Sequence, residues 1–241
     1  NTFVDALNDD SDTSNKVKTF SFDPIIPEPN KDGAIGETTS AKTVSVNGKH
    51  VTKGDTVTYI LKGQDLKQYH EQVKTFSAVD VFDKGLVYTH FKAMLNQKDG
   101  KQIDVTSHIK DQVDGNTVVF VADDALIKML NSDAYNTVAG VTPTIYAFAT
   151  VNTDDVKDKI DNSYWLNING KQDVSNIVEV TPVTSNPEKH ETVSGHDSNG
   201  KSVTTNDVLN YDVTWDLSQF NLNDTAISDK QFAKGLSIDD T

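Results

Sequence analysis

Between residues 41 and 182 apolar side chains recur at every second position in short runs, and turn-forming dipeptides fall between the runs. The runs are Val44–Val46, Val57–Leu61, Phe76–Phe82, Tyr88–Met94, Thr117–Val121, Thr144–Val151, Tyr164–Ile168 and Val174–Val180. A period of two marks strands with one buried face. Asn47-Gly48, Asp99-Gly100, Asp114-Gly115 and Asn169-Gly170 supply the residues that tight hairpin turns require. Many short strands with frequent turns predict an all-β sandwich. One helix interrupts them: Asp123 or Asp124 caps it, and Ala125, Leu126, Met129 and Leu130 form its apolar stripe. A weaker helical turn is expected near Gln64–Val73.

Residues 1–40 read as an N-terminal extended segment and linker. They include a short helix over Phe3–Leu7, a strand-like run over Val17–Phe22 and a Pro-rich stretch from Asp23 to Asn30. Residues 41–182 form the sandwich domain, residues 183–188 a second linker, and residues 189–241 the start of a second similar domain. The chain opens abruptly at Asn1-Thr2-Phe3, as a fragment of a longer protein does.

Certain polar residues break the alternation. Lys42 shares a strand face with Val44 and Val46, Asp80 with Phe76, Ala78 and Phe82, and Asn176 with Val174, Val178 and Val180. Taken singly, such residues lie at strand ends, snorkel outward or make ordinary buried hydrogen bonds. Together, on first, middle and last strands, they aim an amine, a carboxyl and a carboxamide into one core. A lone buried charge is prohibitively costly, so these groups must be paired, neutral or chemically consumed.

Consumption has a concrete route, an amide formed between Lys42 and Asn176. Burial among apolar groups lowers a lysine pKa and frees the nucleophilic amine. Burial raises a carboxyl pKa, so Asp80 keeps a proton that it can donate to the asparagine. Orientation replaces a bimolecular encounter. Ammonia leaves, and the reaction runs once per molecule. Phe76, Phe82, Tyr146, Phe148 and Trp165 are candidates for the aromatic shield.

Composition closes other routes. The chain has no Cys, so neither disulfides nor thiolate metal sites exist. Its basic residues are all Lys, and the formal charge of −14 repels nucleic acid and anionic lipid. No stretch is long and apolar enough to span a bilayer, so no membrane insertion is expected of this fragment. The histidines lack metal-ligand spacing, and phosphate-binding, dinucleotide and nucleophile-elbow motifs are absent. Asp10-x-Asp12-x-Ser14 resembles the start of a calcium loop but lacks its turn Gly and its bidentate Glu. That stretch, Asp154-Asp155 and Asp197-x-Asn199 read as solvated acidic turns. No metal, no cofactor and no turnover enzyme is expected.

Several motifs carry a resemblance. Val51-Thr52-Lys53-Gly54-Asp55-Thr56-Val57-Thr58-Tyr59 resembles the second strand of isopeptide-forming domains in Gram-positive surface proteins. Ala78-Val79-Asp80-Val81-Phe82-Asp83-Lys84-Gly85-Leu86 is similar to their V-D-x-L-P-x-G segment, with Asp83 where Pro is usual. Ser175-Asn176-Ile177-Val178-Glu179-Val180 looks like their S-N-x-V-x-V last strand, whose Asn is the bonding residue. Leu209-Asn210-Tyr211-Asp212-Val213-Thr214-Trp215-Asp216-Leu217 resembles the N-Y-x-x-x-T-W-D-L strand of the next domain in antigen I/II-type adhesins, a group that includes aggregation substances. Lys234-Gly235-Leu236-Ser237-Ile238-Asp239-Asp240 is similar to the K-G-F…V-D-D strand that follows.

The resemblance implies an Ig-like sandwich of the DEv-IgG type in an extracellular, cell-wall-anchored adhesin. Such a stalk is monomeric and presents a distal region to a host or partner-cell ligand, protein or glycan. It implies Lys189 as the second domain's bonding lysine and Asp239, or Asp240, as its acid. Because linker lengths vary, Lys31 stands as the alternative to Lys42. A competing expectation is a carbohydrate- or protein-binding module whose own β surface meets the ligand. An exposed aromatic platform would favour it.

Overall fold

The computed structural model describes residues 2–5, 18–21, 23–40, 42–132, 140–153, 159–183 and 187–215. In chain order the strands are β1 (Thr2–Asp5), β2 (Lys18–Ser21), β3 (Asn30–Ile35), β4 (Lys49–Thr52), β5 (Thr56–Lys62), β6 (Phe76–Val81), β7 (Leu86–Gln97), β8 (Gln102–Asp104), β9 (Ile109–Asp114) and β10 (Thr117–Ala122). Helix α1 (Asp124–Leu130) follows. Then come β11 (Val141–Val151), β12 (Ile160–Asn162), β13 (Tyr164–Ile168), β14 (Lys171–Val174), β15 (Val178–Val183), β16 (Pro187–Val193), β17 (His196–Asp197) and β18 (Leu209–Trp215).

The sandwich is built from two five-stranded sheets, ordered β14-β13-β6-β10-β9 and β3-β5-β11-β7-β8. A smaller sheet, β12-β15-β4, includes a parallel pairing of β15 with β4. The core is the product of alternation on facing strands. Phe76, Ala78, Val118, Phe120, Tyr164, Leu166 and Ile168 on the first sheet meet Val57, Tyr59, Leu61, Ile145, Ala147 and Ala149 on the second. Their burial is the main term holding the sheets together. Strand β11 is apolar on both faces, and its other side, Tyr146 and Phe148, packs with Ile60 in a separate cluster.

Helix α1 forms where the apolar stripe predicts it. Asp123 is the N-cap, its carboxylate accepting from Leu126 N at 2.8 Å, while Leu126 and Leu130 face the core. The turn at Asn169-Gly170 has positive φ at both residues, as a two-residue hairpin requires.

Some expectations are corrected. Thr2–Asp5 is a strand paired with Lys18–Ser21, where a helix over Phe3–Leu7 was expected. Gln64–Val73 carries no helix; after Lys62 the chain turns at Tyr69, whose φ is 66°. Val44–Val46 is not a strand: Val44 is exposed and only Val46 is buried. The first strand of the sandwich lies earlier, at β3, inside the stretch read as linker. The run Val174–Val180 is divided between β14 and β15, because the chain changes sheets at Ser175–Ile177.

Gly33 in β3 shows how closely the next segment covers this strand. A Cβ at Gly33 would lie 2.7 Å from Val46 Cγ2. Gly33→Ala is expected to destabilise the domain by about 1–3 kcal/mol through overpacking, as read by urea denaturation.

Strands β16, β17 and β18 form a separate three-stranded sheet, with β16 central.

Candidate functional site

Lys31 and Asp80 stand on opposite sheets and meet between them. Lys31 lies on β3, opposite Leu61 of β5. Asp80 lies on β6, flanked by Val118 of β10 and Tyr164 of β13. Alternation with Phe76 and Ala78 directs Asp80 inward, as expected from sequence. Lys31 Nζ donates to Asp80 Oδ2 at 2.6 Å, and both side chains are 0% exposed.

The amine is wrapped in aromatic rings. Its distances to the ring centroids are 4.8 Å for Tyr59, 5.9 Å for Phe82 and 5.8 Å for Tyr164. Of the expected shield only Phe82 is placed there. Tyr146 and Phe148 belong to the cluster on the far face of β11, Phe76 packs elsewhere in the core, and Trp165 is 43% exposed.

Burial dominates the electrostatics of the pair. It lowers the Lys31 amine from 10.5 to about 8 despite the nearby carboxylate. It also raises the Asp80 carboxyl, although Lys31 and Asn162 both favour its charged form. The two values move toward each other, so the neutral pair of amine and carboxylic acid becomes accessible.

Asn162 completes the cluster. It ends β12 and is 1% exposed. Its carboxamide lies near enough to Asp80 to favour the carboxylate. Yet neither Asn162 Nδ2 nor Oδ1 makes a hydrogen bond of good geometry, and Asp80 Oδ1 is also without a partner. Each such buried orphan costs about 1–3 kcal/mol, so adjacent ones on a carboxyl and a carboxamide call for an explanation. The group is an amine, an acid and a carboxamide shut away from water. It is equipped for acyl transfer from the carboxamide to the amine.

The other sequence-derived residues lie elsewhere. Lys42 is exposed in the loop after Ser40, whose Oγ accepts from Lys42 N at 3.1 Å. Its expected inward orientation is therefore corrected: without a strand at Val44–Val46, alternation does not apply to it. Asn176 is exposed, and its carboxamide grips the main chain of Lys31. Oδ1 accepts from Lys31 N at 2.9 Å and Nδ2 donates to Lys31 O at 2.8 Å. Asp83, in the place of a usual Pro, still makes the turn, accepting from Gly85 N at 2.7 Å. Lys189 is exposed on β16, with Nζ 4.6 Å from the Tyr211 ring centroid. Asp239 and Asp240, like Asp10, Asp12, Asp154 and Asp155, lie outside the described residues. Asp197 shapes a turn, its Oδ1 accepting from Asn199 N at 3.1 Å. Among the described residues no helix is long and apolar enough to cross a membrane.

Sequence reasoning missed Asn162, though a signal was there. Ile160, Asn162, Tyr164, Leu166 and Ile168 are one continuous alternation, with Asn162 its polar member.

Comparison with known proteins agrees with this architecture. Residues 35–182 match the family described as "Cell surface antigen I/II C2 terminal domain". The C-terminal domain of the Streptococcus agalactiae AgI/II polypeptide BspA superposes with a TM-score of 0.51 at 16% identity, over 64% of this chain and 50% of that one. The C-terminal domain of the Streptococcus pyogenes antigen I/II-family protein AspA gives 0.49 at 18% identity, over 64% and 46%. The chain thus spans about half the length of these solved relatives. No curated protein sequence matches it significantly. With well over half its length matched to that family and the same β-sandwich built around it, the chain belongs to the cell-surface antigen I/II family and contains its C2 terminal domain.

Proposed function

We propose that this chain is a stalk segment of a Gram-positive surface adhesin, locked by an intramolecular amide between Lys31 and Asn162 that Asp80 helps to form. The observation that carries the reading is the sealed cluster itself: a buried lysine with its basicity lowered, a buried acid with its pKa raised, and an unsatisfied carboxamide beside them. The neutral Lys31 amine attacks Asn162 Cγ while Asp80 hydrogen-bonds to the carboxamide. The Nζ–Cγ bond forms and the Cγ–Nδ2 bond breaks. One amine proton passes through Asp80 to the departing nitrogen, which leaves as ammonia. No electron changes hands, no cofactor is needed, and the acid is regenerated. The reaction runs once, so the domain is not a turnover enzyme.

A covalent link from the first strand of the sandwich to β12 suits an anchored surface protein that presents a distal region to a host or partner-cell ligand and promotes aggregation. The sequence motif alone points to Asn176 as the bonding residue, and one experiment separates the two. The intact mass of the chain is expected to fall one ammonia below its sequence sum. A proteolytic digest is expected to yield a branched peptide joining Lys31 to Asn162. An unreduced mass overturns the cross-link, and a branch at Asn176 overturns this assignment.

A second reading has an observation of its own. Trp165 is half-exposed on the outer face of its sheet, in register with Val174 and Val79, and the same face exposes Val81. Such a platform suits direct ligand contact. If the module binds by this face, Trp165→Ala abolishes signal on a glycan array or a matrix-protein plate. If it is only a stalk, the unaltered fragment gives no signal.

A further inference from the structure

We propose that Asn176 is a positioning residue for the cross-linking lysine, fixing the main chain of Lys31 so that its amine is delivered to Asp80 and Asn162. The inference rests on the proposed cross-link and adds to it a residue that does not react.

Strand β3 lies at the edge of its sheet, with β5 on one side. On the other side Asn176 takes both main-chain polar groups of Lys31, accepting from N at 2.9 Å and donating to O at 2.8 Å. Asn30 Nδ2 adds a third bond to Asn176 Oδ1, at 3.3 Å. A carboxamide has one donor side and one acceptor side, as a peptide unit does, so it can stand in for a strand neighbour. A two-point grip on a single residue fixes the rotation of the strand about its axis. It therefore fixes the direction of the Lys31 side chain.

The grip is referenced to the reacting groups. Ser175 N donates to Tyr164 O at 2.9 Å, and Tyr164 N donates to Ser175 Oγ at 3.0 Å. Tyr164 is the cross-strand neighbour of Asp80 and lies two residues after Asn162. Lys31, Asn176, Ser175, Tyr164 and Asp80 thus form a closed ring of contacts. The Ser-Asn pair of the motif serves this ring through backbone bonds, one residue holding each sheet.

The consequence is kinetic. Reaction through contact depends steeply on placement, and a displacement of about 1 Å can cost roughly 100-fold in rate. A loosened β3 also admits water to the amine. The groups facing that amine are Asp80 from β6, Tyr59 from β5, Tyr164 from β13, and Phe82 beyond the end of β6. The aromatic groups keep it poorly basic, against the pull of Asp80, only while they exclude water.

The test uses the full chain made by cell-free translation, with ammonia loss followed by intact mass at several pH values. Asn176→Ala is expected to join Lys31 to Asn162 roughly 10- to 100-fold more slowly, with the rise in rate displaced to higher pH. Asn176→Asp keeps the acceptor for Lys31 N but lacks the donor, so its rate falls between the two; it carries the test if Asn176→Ala does not fold. A role in global stability alone would leave the pH profile in place. Wild-type rate and profile in both variants overturn the inference while sparing the cross-link. A wild-type chain that never loses ammonia, or one branched at Asn176, overturns both.

Discussion

Asp80→Ala is expected to leave the chain at its full sequence mass and to cost the domain more stability than any other single change at this site. Two losses coincide. The acid that relays the proton is gone, so the amide does not form. The Lys31 amine is left buried with no partner, and removing one member of a buried pair costs about 3–5 kcal/mol. Asp80→Asn separates the two effects. It preserves shape and offers the amine an acceptor, yet it cannot relay a proton. It should also keep the full mass, with a smaller loss of stability. Intact mass and thermal denaturation measure both, and ammonia loss in Asp80→Ala would remove the acid from the mechanism.

Asn162→Ala is expected to have the second-largest effect. It retains Lys31 and Asp80 but offers no carboxamide, so the chain keeps its sequence mass less only the substitution. The missing link closes a loop of roughly 130 residues, and by chain entropy such a closure contributes about 5 kcal/mol. Removal of the orphaned amide offsets part of that loss.

The variant also gains a pH dependence that the cross-linked protein lacks. Its Lys31 is a free amine with a folded pKa near 8, against 10.5 unfolded. Between those values the unfolded chain binds more protons, so stability from this group rises with pH from about 8 to 10.5. The raised Asp80 carboxyl has the opposite sign. The folded state binds the extra proton, and stability falls as pH climbs from 3.8 toward the raised value. In a cross-linked wild type Lys31 would be an amide nitrogen, and the alkaline rise is expected to be absent. Denaturant midpoints from pH 7 to 10.5 for both proteins test this.

The sandwich was legible because its strands are amphipathic with a strict period of two, as β6 and β13 show. Asp80 was legible for the same reason, since it interrupts an apolar alternation that continues on both sides. Lys31 was obscured by its neighbours. Its strand face continues into Gly33, which has no side chain to register as apolar, and the prolines before it suggest a linker. Lys42 was misjudged because a Val-x-Val pair is too short to establish a strand. Asn176 lies at a corner where the chain changes sheets, and alternation carried across a corner misassigns a face. Asn162 continues the alternation of Tyr164, Leu166 and Ile168 in sequence, and was missed because it ends a separate short strand, β12, that lies before the run beginning at Tyr164.

The hairpin turns acquire a further meaning once Lys31 and Asn162 are joined, because the molecule becomes a ring with a tail on either side. The turns at Asp99-Gly100 and Asp114-Gly115 lie inside the closed ring, whereas Asn169-Gly170 lies on the tail after Asn162. A protease that nicks either of the first two opens the ring but releases nothing. One cut at Asn169-Gly170 detaches everything C-terminal to it once the fold is denatured. A surface protein joined in this way survives single cleavages within the ring as one covalent molecule, and its vulnerable stretches shorten to the residues before Lys31 and after Asn162.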